Sequence, residues 1–356
     1  MLKGDIKAVK GRGSQSNPQG RYLRERRVRS EDFEPNEGLA APGTTVTQER
    51  SRDIMSRNNS PDLPFEQSVN PYRGCEHGCV YCYARPSHAY LDLSPGLDFE
   101  TKLFAKTNAP ELLERELSKP SYRCRLIALG ANTDPYQPIE RDFKITRRIL
   151  EILNEYRHPV SIVTKSCLIE RDIDVLTAMA KLKLVEVHLS VTTLEQRLAA
   201  KLEPRATAPI RRVETIRRLA AAGIPAGVMF APVIPVLNDA EMERVLERAA
   251  CAGASYAGYV LLRLPGEVNG LFQEWLRVHA PLKSEHIMSR IRDLRGGREN
   301  DSAFGTRFRG GGVYAQLLRR RFELACKRLG LNRSKHALNT GSFSSPSTAQ
   351  RQLRLF

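Results

Sequence analysis

Cys75, Cys79 and Cys82 stand in the run NPYRGCEHGCVYCYAR, residues 70–85, with CxxxCxxC spacing. The two gaps bring three thiols onto one loop, within reach of a single inorganic centre. Thiolates are soft ligands and favour zinc or iron–sulfur. A closed zinc site takes four ligands. His77 and His88 are the nearby side chains for a fourth position, and no second CxxC or HxxxH occurs in the chain. Three cysteines suit a [4Fe–4S] cluster, whose usual complement is four. One iron then lacks a protein ligand and is open to a substrate or cofactor. The other four cysteines, Cys124, Cys167, Cys251 and Cys326, are widely scattered.

A loop of this kind needs a scaffold, and the chain around it alternates between two periodicities. Short apolar runs read as strands at Arg125–Leu129, Val160–Thr164, Val185–Val191, Ala226–Phe230 and Tyr256–Leu262. Between them, Lys144–Tyr156, Asp172–Leu182, Pro209–Ala222 and Asp239–Ala252 carry apolar residues at helical spacing. Asn238 reads as an N-cap for the last of these, and Gly223 as a C′ glycine. Strand–helix alternation of this length predicts a parallel sheet with helices outside, either an open sheet or a closed or partial (β/α) barrel. No GxGxxG follows the first strand, so a dinucleotide fold has no fingerprint here.

The cysteine motif, with Tyr81 just before the third cysteine, resembles the signature of the radical S-adenosylmethionine (SAM) superfamily. The words GANTDPYQPIE, TRRILEIL, PVSIVTKS, RDIDVL and APVIPVLND are similar to those of its spore photoproduct lyase-like bacterial branch, over roughly residues 60–330. The resemblance implies a partial (β/α)6 TIM-type barrel with its first strand just before Cys75, and chemistry at the C-terminal strand ends. It implies that Cys75, Cys79 and Cys82 ligate a [4Fe–4S] cluster, and that SAM chelates the open iron and is cleaved to a 5′-deoxyadenosyl radical. A one-electron donor protein such as flavodoxin or ferredoxin is implied as well. Asn132, Thr133 and Asp134 occupy the place of the family's GGE segment, which is itself absent. Ser190 at a strand end, Arg205 in LEPRA, and Val233 beside Ile234 and Pro235 are the counterparts of SAM-contacting residues, with Tyr81. Lys165 points toward the same mouth. The branch's lyase uses a cysteine as hydrogen donor; the HLSVTT run here has none, which leaves Cys167 as the candidate.

Charge separates the function classes further. The 356 residues carry 56 Lys and Arg against 40 Asp and Glu, a net charge of +16, which makes polyanions the expected partners. Residues 1–60, 12 basic and 8 acidic, read as a basic and largely disordered arm. Residues 61–265 read as the barrel and 266–330 as a basic helical extension. Within 285–330 there are eleven basic and five acidic residues, with Phe304, Phe308 and Tyr314 interleaved, the mixture that stacks on bases and holds phosphates. The loops Arg295–Arg298 and Arg307–Gly312 read as phosphate clamps. Residues 331–356 read as a flexible tail ending in QLRLF. There Gln352, Leu353, Leu355 and Phe356 resemble the peptide that docks on the bacterial sliding clamp. No apolar run approaches the ~20 residues of a membrane span. An odd cysteine count in a long chain argues against a secreted disulfide framework, so a cytoplasmic enzyme is expected. The leading expectation is a radical SAM enzyme acting on nucleic acid, in DNA lesion repair of a spore photoproduct lyase-like kind. Its rivals are a radical SAM enzyme on tRNA or a small molecule, and a non-catalytic zinc or iron–sulfur protein associated with DNA.

Overall fold

The computed structural model describes residues 8–22, 43–333 and 337–346. Among the described residues, ten strands make two sheets: β1 (Thr45–Glu49), β2 (Met55–Arg57), β3 (Gln67–Val69), β4 (Tyr72–Arg73), β5 (Lys102–Lys106), β6 (Ile127–Leu129), β7 (Val160–Thr164), β8 (Val185–Ser190), β9 (Ala226–Val233) and β10 (Tyr256–Leu261). The larger sheet has the order β10-β9-β8-β7-β6-β3-β2. Strands β3 and β6 to β10 pair in parallel, and β2 is an antiparallel edge on β3. Six parallel strands with covering helices form the expected partial barrel. Each strand predicted from the sequence is present to within four residues at either end. The reason is local: VSIVT and VEVHLS are rich in β-branched residues, and alternate positions are fully buried. The four expected helices form at Ile145–Glu155, Ile173–Lys181, Pro209–Ala221 and Met242–Cys251. Gly223, at φ +76°, ends the third of these as a C′ residue.

Asn238 departs from expectation. Its side chain is buried and turns inward, accepting from Ile234 N–H and donating to the carbonyls of Thr192 and Pro232. It therefore ties the β8 exit to the β9 exit; Asn238 does stand at the N-cap position of the 3-10 turn Asp239–Glu241, but its side chain makes no capping hydrogen bond.

The arm read as disordered is a second correction. Residues 8–22 pack on the body, with Arg12, Ser14 and Gln15 buried, and β1 pairs in parallel with β5. The segment has little apolar surface, and polar groups hold it instead. Gly13 and Ser14 N–H donate to the Glu100 carboxylate at 3.0 and 2.8 Å. Asn17 exchanges two hydrogen bonds with Asp98, and Arg21 pairs with Glu267 at 2.7 Å. Backbone approach is so close that a Cβ on Gly13 would lie 1.7 Å from the Gly78 carbonyl oxygen. The tail is corrected in the same way over 337–346. Phe343 packs against Tyr122 and His158, both 5.5 Å away, and Asn339 and Ser344 N–H donate to Lys183 and Tyr156 carbonyls. Gln352, Leu353, Leu355 and Phe356 lie outside the described residues.

The C-terminal helices complete the scaffold. Helices Val268–His279 and Ser284–Leu294 bury Phe272, Trp275, Leu276, Ile287, Met288 and Ile291 in one cluster with Cys79, Val80 and Tyr81. The Trp275 indole N–H satisfies the Lys201 carbonyl at 2.9 Å. These helices thus form the wall behind the cysteine loop. Among the described residues, no helix is long and apolar enough to cross a membrane.

Candidate active site

The cysteine loop follows β4 and is shaped by two left-handed glycines, Gly74 at φ +72° and Gly78 at φ +68°. Buried Arg85 stitches it from within. Its guanidinium donates to the carbonyls of Cys79, Gly78, Pro95 and Gly96 and pairs with Glu100 at 2.5 Å. The rim is fixed from outside by Gln137, which accepts from Glu76 N–H and donates to the Gly74 carbonyl. Val80 N–H donates to the Leu202 carbonyl, and Arg205 N–H to that of His77. Cys75 and Cys79 are buried and Cys82 is half-buried. Burial pushes the Cys79 thiol up to about 12 and the other two upward as well. Thiolates in such a loop need cationic metal centres to offset desolvation.

The spacing allows two kinds of metal centre, zinc and iron–sulfur. Among the described residues, no three His, Cys, Asp or Glu side chains converge as a single-ion site requires. A [4Fe–4S] cluster offers its irons at separate corners, one thiolate to each, and the three cysteines fit it. Each of the two histidines has one ring nitrogen beside another group, while His88 Nδ1 is buried without a hydrogen-bond partner. His77 Nδ1 lies 3.3 Å from Asp134, and His88 Nε2 lies 2.9 Å from the Lys102 carbonyl.

Facing the loop, the ends of β7, β8 and β9 hold a polar network centred on Lys165. Its ammonium donates to Ser190 Oγ at 2.8 Å, Thr192 Oγ1 at 3.0 Å and the Ala231 carbonyl at 3.4 Å. It stands 3.6 Å from Glu203 and 5.6 Å from the centre of the Tyr81 ring. The Tyr81 hydroxyl is 3.0 Å from Thr192 Oγ1. Behind this, Arg212 is buried against Glu203 at 2.6 Å and donates to the Ser190 carbonyl. Burial works to raise the Glu203 carboxyl, but Arg212 and Lys165 outweigh it and hold it at about 2. Glu203, Arg212 and Thr192 went unread in the sequence. Glu203 shares the word LEPRA with Arg205, yet spacing alone does not say which of the two turns inward.

This pair carries a pH prediction. A carboxyl held below its ordinary value adds stability above that value and loses it as pH falls toward the folded one. For Glu203 the window runs from about pH 5 to about 2, and the contribution is on the order of 3 kcal/mol. Glu203→Gln should therefore destabilise the iron-free chain at pH 7, and the gap to the parent should narrow on acidification through that window. Urea denaturation at several pH values measures it, and a gap constant down to pH 2 contradicts it.

The remaining expected residues are dispersed. Asp134 is saturated: Thr164 Oγ1 and Lys165 N–H each donate to it at 2.7 Å, with His77 beside it. Burial acts to raise this carboxyl, and His77, Thr164 and Lys165 hold it down. Thr133 is buried and donates to the Tyr72 carbonyl, while Asn132 N–H donates to Asn70. Arg205 is 40% exposed and pairs with Glu76 at 3.0 Å. Val233 is fully buried at the end of β9. Cys167 N–H donates to Thr207, and its side chain lines a cavity of about 340 Å³ with His77, Arg141, Arg171 and Arg205, apart from the Lys165 network. Arg295 is no phosphate clamp: it is buried, and its guanidinium donates to the carbonyls of Leu262, Thr306 and Arg307. Tyr314 donates to Asp239 and lies under Arg290.

Comparison with known proteins agrees with this architecture. An uncharacterised protein of Mycobacterium tuberculosis is 39% identical over 231 residues, 64% of this chain and 68% of that protein. One from Methanocaldococcus jannaschii is 32% identical over 173 residues, 49% of this chain and 62% of that one. Among solved structures, spore photoproduct lyase complexed with dinucleoside spore photoproduct superposes with a TM-score of 0.59 at 14% identity, covering 80% of each chain. A mutant of that lyase with bound AdoMet and the same dinucleoside gives 0.57 at 14%, again over 80% of each chain. The family model described as the radical SAM superfamily matches residues 69–249. That span begins on β3, takes in the cysteine loop and the Lys165 network, and ends beyond β9. The chain is thus an enzyme that belongs to the radical SAM superfamily, with a [4Fe–4S] cluster and SAM as its cofactors.

Proposed function

We propose that this enzyme acts on nucleic acid, with DNA favoured, in a lyase-like repair reaction of the kind suggested by the ligands of its structural neighbours. Cys75, Cys79 and Cys82 would hold the cluster. When bound and reduced by a small electron-transfer protein of the flavodoxin or ferredoxin type, it supplies the electron that cleaves SAM to methionine and a 5′-deoxyadenosyl radical. Lys165, with Ser190, would meet the methionine carboxylate, because its ammonium is the cation at the strand ends that is held mainly by neutral oxygens. Asn132 would contact the methionine amine, with Thr133 and Asp134 fixing its loop. Tyr81, Val233 and Ile234 would bound the cofactor pocket, and Arg205 would serve its outer rim. Seven free cysteines accord with a reducing compartment such as the cytoplasm.

One observation carries the choice of substrate. The basic segment after Leu294 folds back onto the end of β10: Leu261 N–H donates to the Phe308 carbonyl at 2.9 Å, and Arg295 to Leu262 at 2.7 Å. The basic segment thereby lies beside the strand ends that carry the site, which supports capture of a phosphate backbone there. Anaerobically reconstituted protein should bind labelled DNA with a log–log salt slope of roughly −4 if about five phosphates are neutralised. Binding that is absent, or flat with salt between about 50 and 200 mM, overturns the reading. Preference for tRNA over DNA would reassign the substrate class. The tail residues Gln352, Leu353, Leu355 and Phe356 are proposed to tether the enzyme to the sliding clamp.

A further inference from the structure

Five side chains beside the cysteine loop form a ladder of alternating rings and guanidinium groups. The Arg263 guanidinium lies 5.9 Å from the centre of the Tyr83 ring and 5.1 Å from that of Phe308. Arg307 lies 4.7 Å from Phe308 and 4.8 Å from Phe304. Tyr83 follows Cys82 directly in the chain, and its hydroxyl donates to the Ala131 carbonyl next to Asn132. The end rings are open to solvent, Tyr83 at 48% and Phe304 at 59% exposed.

The two arginines differ in what they already hold. Arg307 pairs with Asp62 at 2.7 Å and donates to Ser60, so its charge is spent on fixing the segment. Arg263 pairs with no carboxylate among the described residues, and its Nε is buried with no hydrogen-bond partner. The Arg263 guanidinium lies over two rings and is left without a carboxylate partner among the described residues, so its donors suit anionic oxygens. Exposed rings next to it offer faces on which any base stacks. A ligand that supplies flat π-faces and regularly spaced anionic oxygens matches both features. An acidic peptide supplies only the oxygens.

We infer that Tyr83, Arg263, Phe308, Arg307 and Phe304 form a binding track for single-stranded or locally unpaired nucleic acid, with a base on Phe304 and a phosphate at Arg263. The track leads the strand to the cysteine loop. It deepens the nucleic-acid reading above and rests on it.

The test is anisotropy with a labelled single strand of ~12 nucleotides and a hairpin duplex of matched length, on the reconstituted full chain. Phe304→Ala, at an exposed position that leaves the thermal melt unchanged, should raise the single-strand Kd about tenfold without altering the salt slope, and Phe304→Trp should restore it. Arg263→Gln should lower the slope by about one. The hairpin Kd should move less than about twofold in either variant, since its bases stay stacked. Parent binding to DNA with unchanged variants, or equal losses for strand and hairpin, overturns the track and leaves the wider reading standing. A parent that binds no nucleic acid overturns both.

Discussion

Replacing Cys79 with alanine is expected to abolish reductive cleavage of SAM. The loss should be on the order of 10³-fold or more, equivalent to at least about 4 kcal/mol of barrier. Three cysteines are the minimum that leaves one iron free for SAM, so no spare thiol compensates. The other cysteines are remote from the loop in the chain, and the one nearest a strand end, Cys167, lines a cavity that His77 of the loop also borders. Cys79 is also held firmly by its surroundings: its carbonyl accepts from Arg85 and Cys82, and its side chain lies against the helices carrying Phe272 and Trp275. The measurements are iron and sulfide content, visible absorption and 5′-deoxyadenosine formation after anaerobic reconstitution. Retention of both colour and cleavage by Cys79→Ala would remove the cluster assignment. Cys251→Ala, at an exposed position outside the site, is the control and should behave as the parent.

The second large effect belongs to a residue that binds no cofactor. Arg85→Met is expected to destabilise the chain by roughly 3–5 kcal/mol, because it strands the buried Glu100 charge. It also leaves carbonyls of Cys79, Gly78, Pro95 and Gly96 without their donor. Glu100 keeps the N–H groups of Gly13 and Ser14, so the segment 8–22 weakens together with the loop. The buried pair is worth less than the cost of breaking it: Glu100→Gln in the Arg85→Met background should recover part of the loss. A double-mutant cycle should return a coupling of about 2–3 kcal/mol. Urea midpoints measure it, and reconstituted iron content reports the loop separately. Additive losses would show that the two groups act independently.

Both results bear on how much of the site can be read from a linear chain. The cysteine spacing narrows the chemistry to a thiolate-bound metal centre, because three thiols within eight residues share a loop whatever surrounds them. The strands were legible because short β-branched runs with fully buried alternate positions leave a clear apolar signal. The arginine-rich segment was legible as charge but not as geometry. Arg295 and Arg307 have equal claims in sequence, yet one is buried against carbonyls and the other is stacked between rings. Lys165 had the right strand end, but its importance comes from Ser190, Thr192 and Glu203, which arrive from other strands and loops.

The polar segment at residues 8–22 shows the limit most clearly. Its composition argues for disorder because it has little apolar surface with which to offset ordering entropy. It is ordered because a buried carboxylate, Glu100, lies 87 residues from Gly13 in the chain and receives its backbone N–H groups. No local pattern encodes a partner that distant. What the sequence determined by itself was therefore the grouping of three thiols on one loop, the alternation of strands and helices, and the sign of the charge, each being a property of neighbours in the chain. Only the tertiary structure decided which polar groups face one another, since buried charges and hydrogen bonds are satisfied across the fold and their partners are chosen by proximity in space.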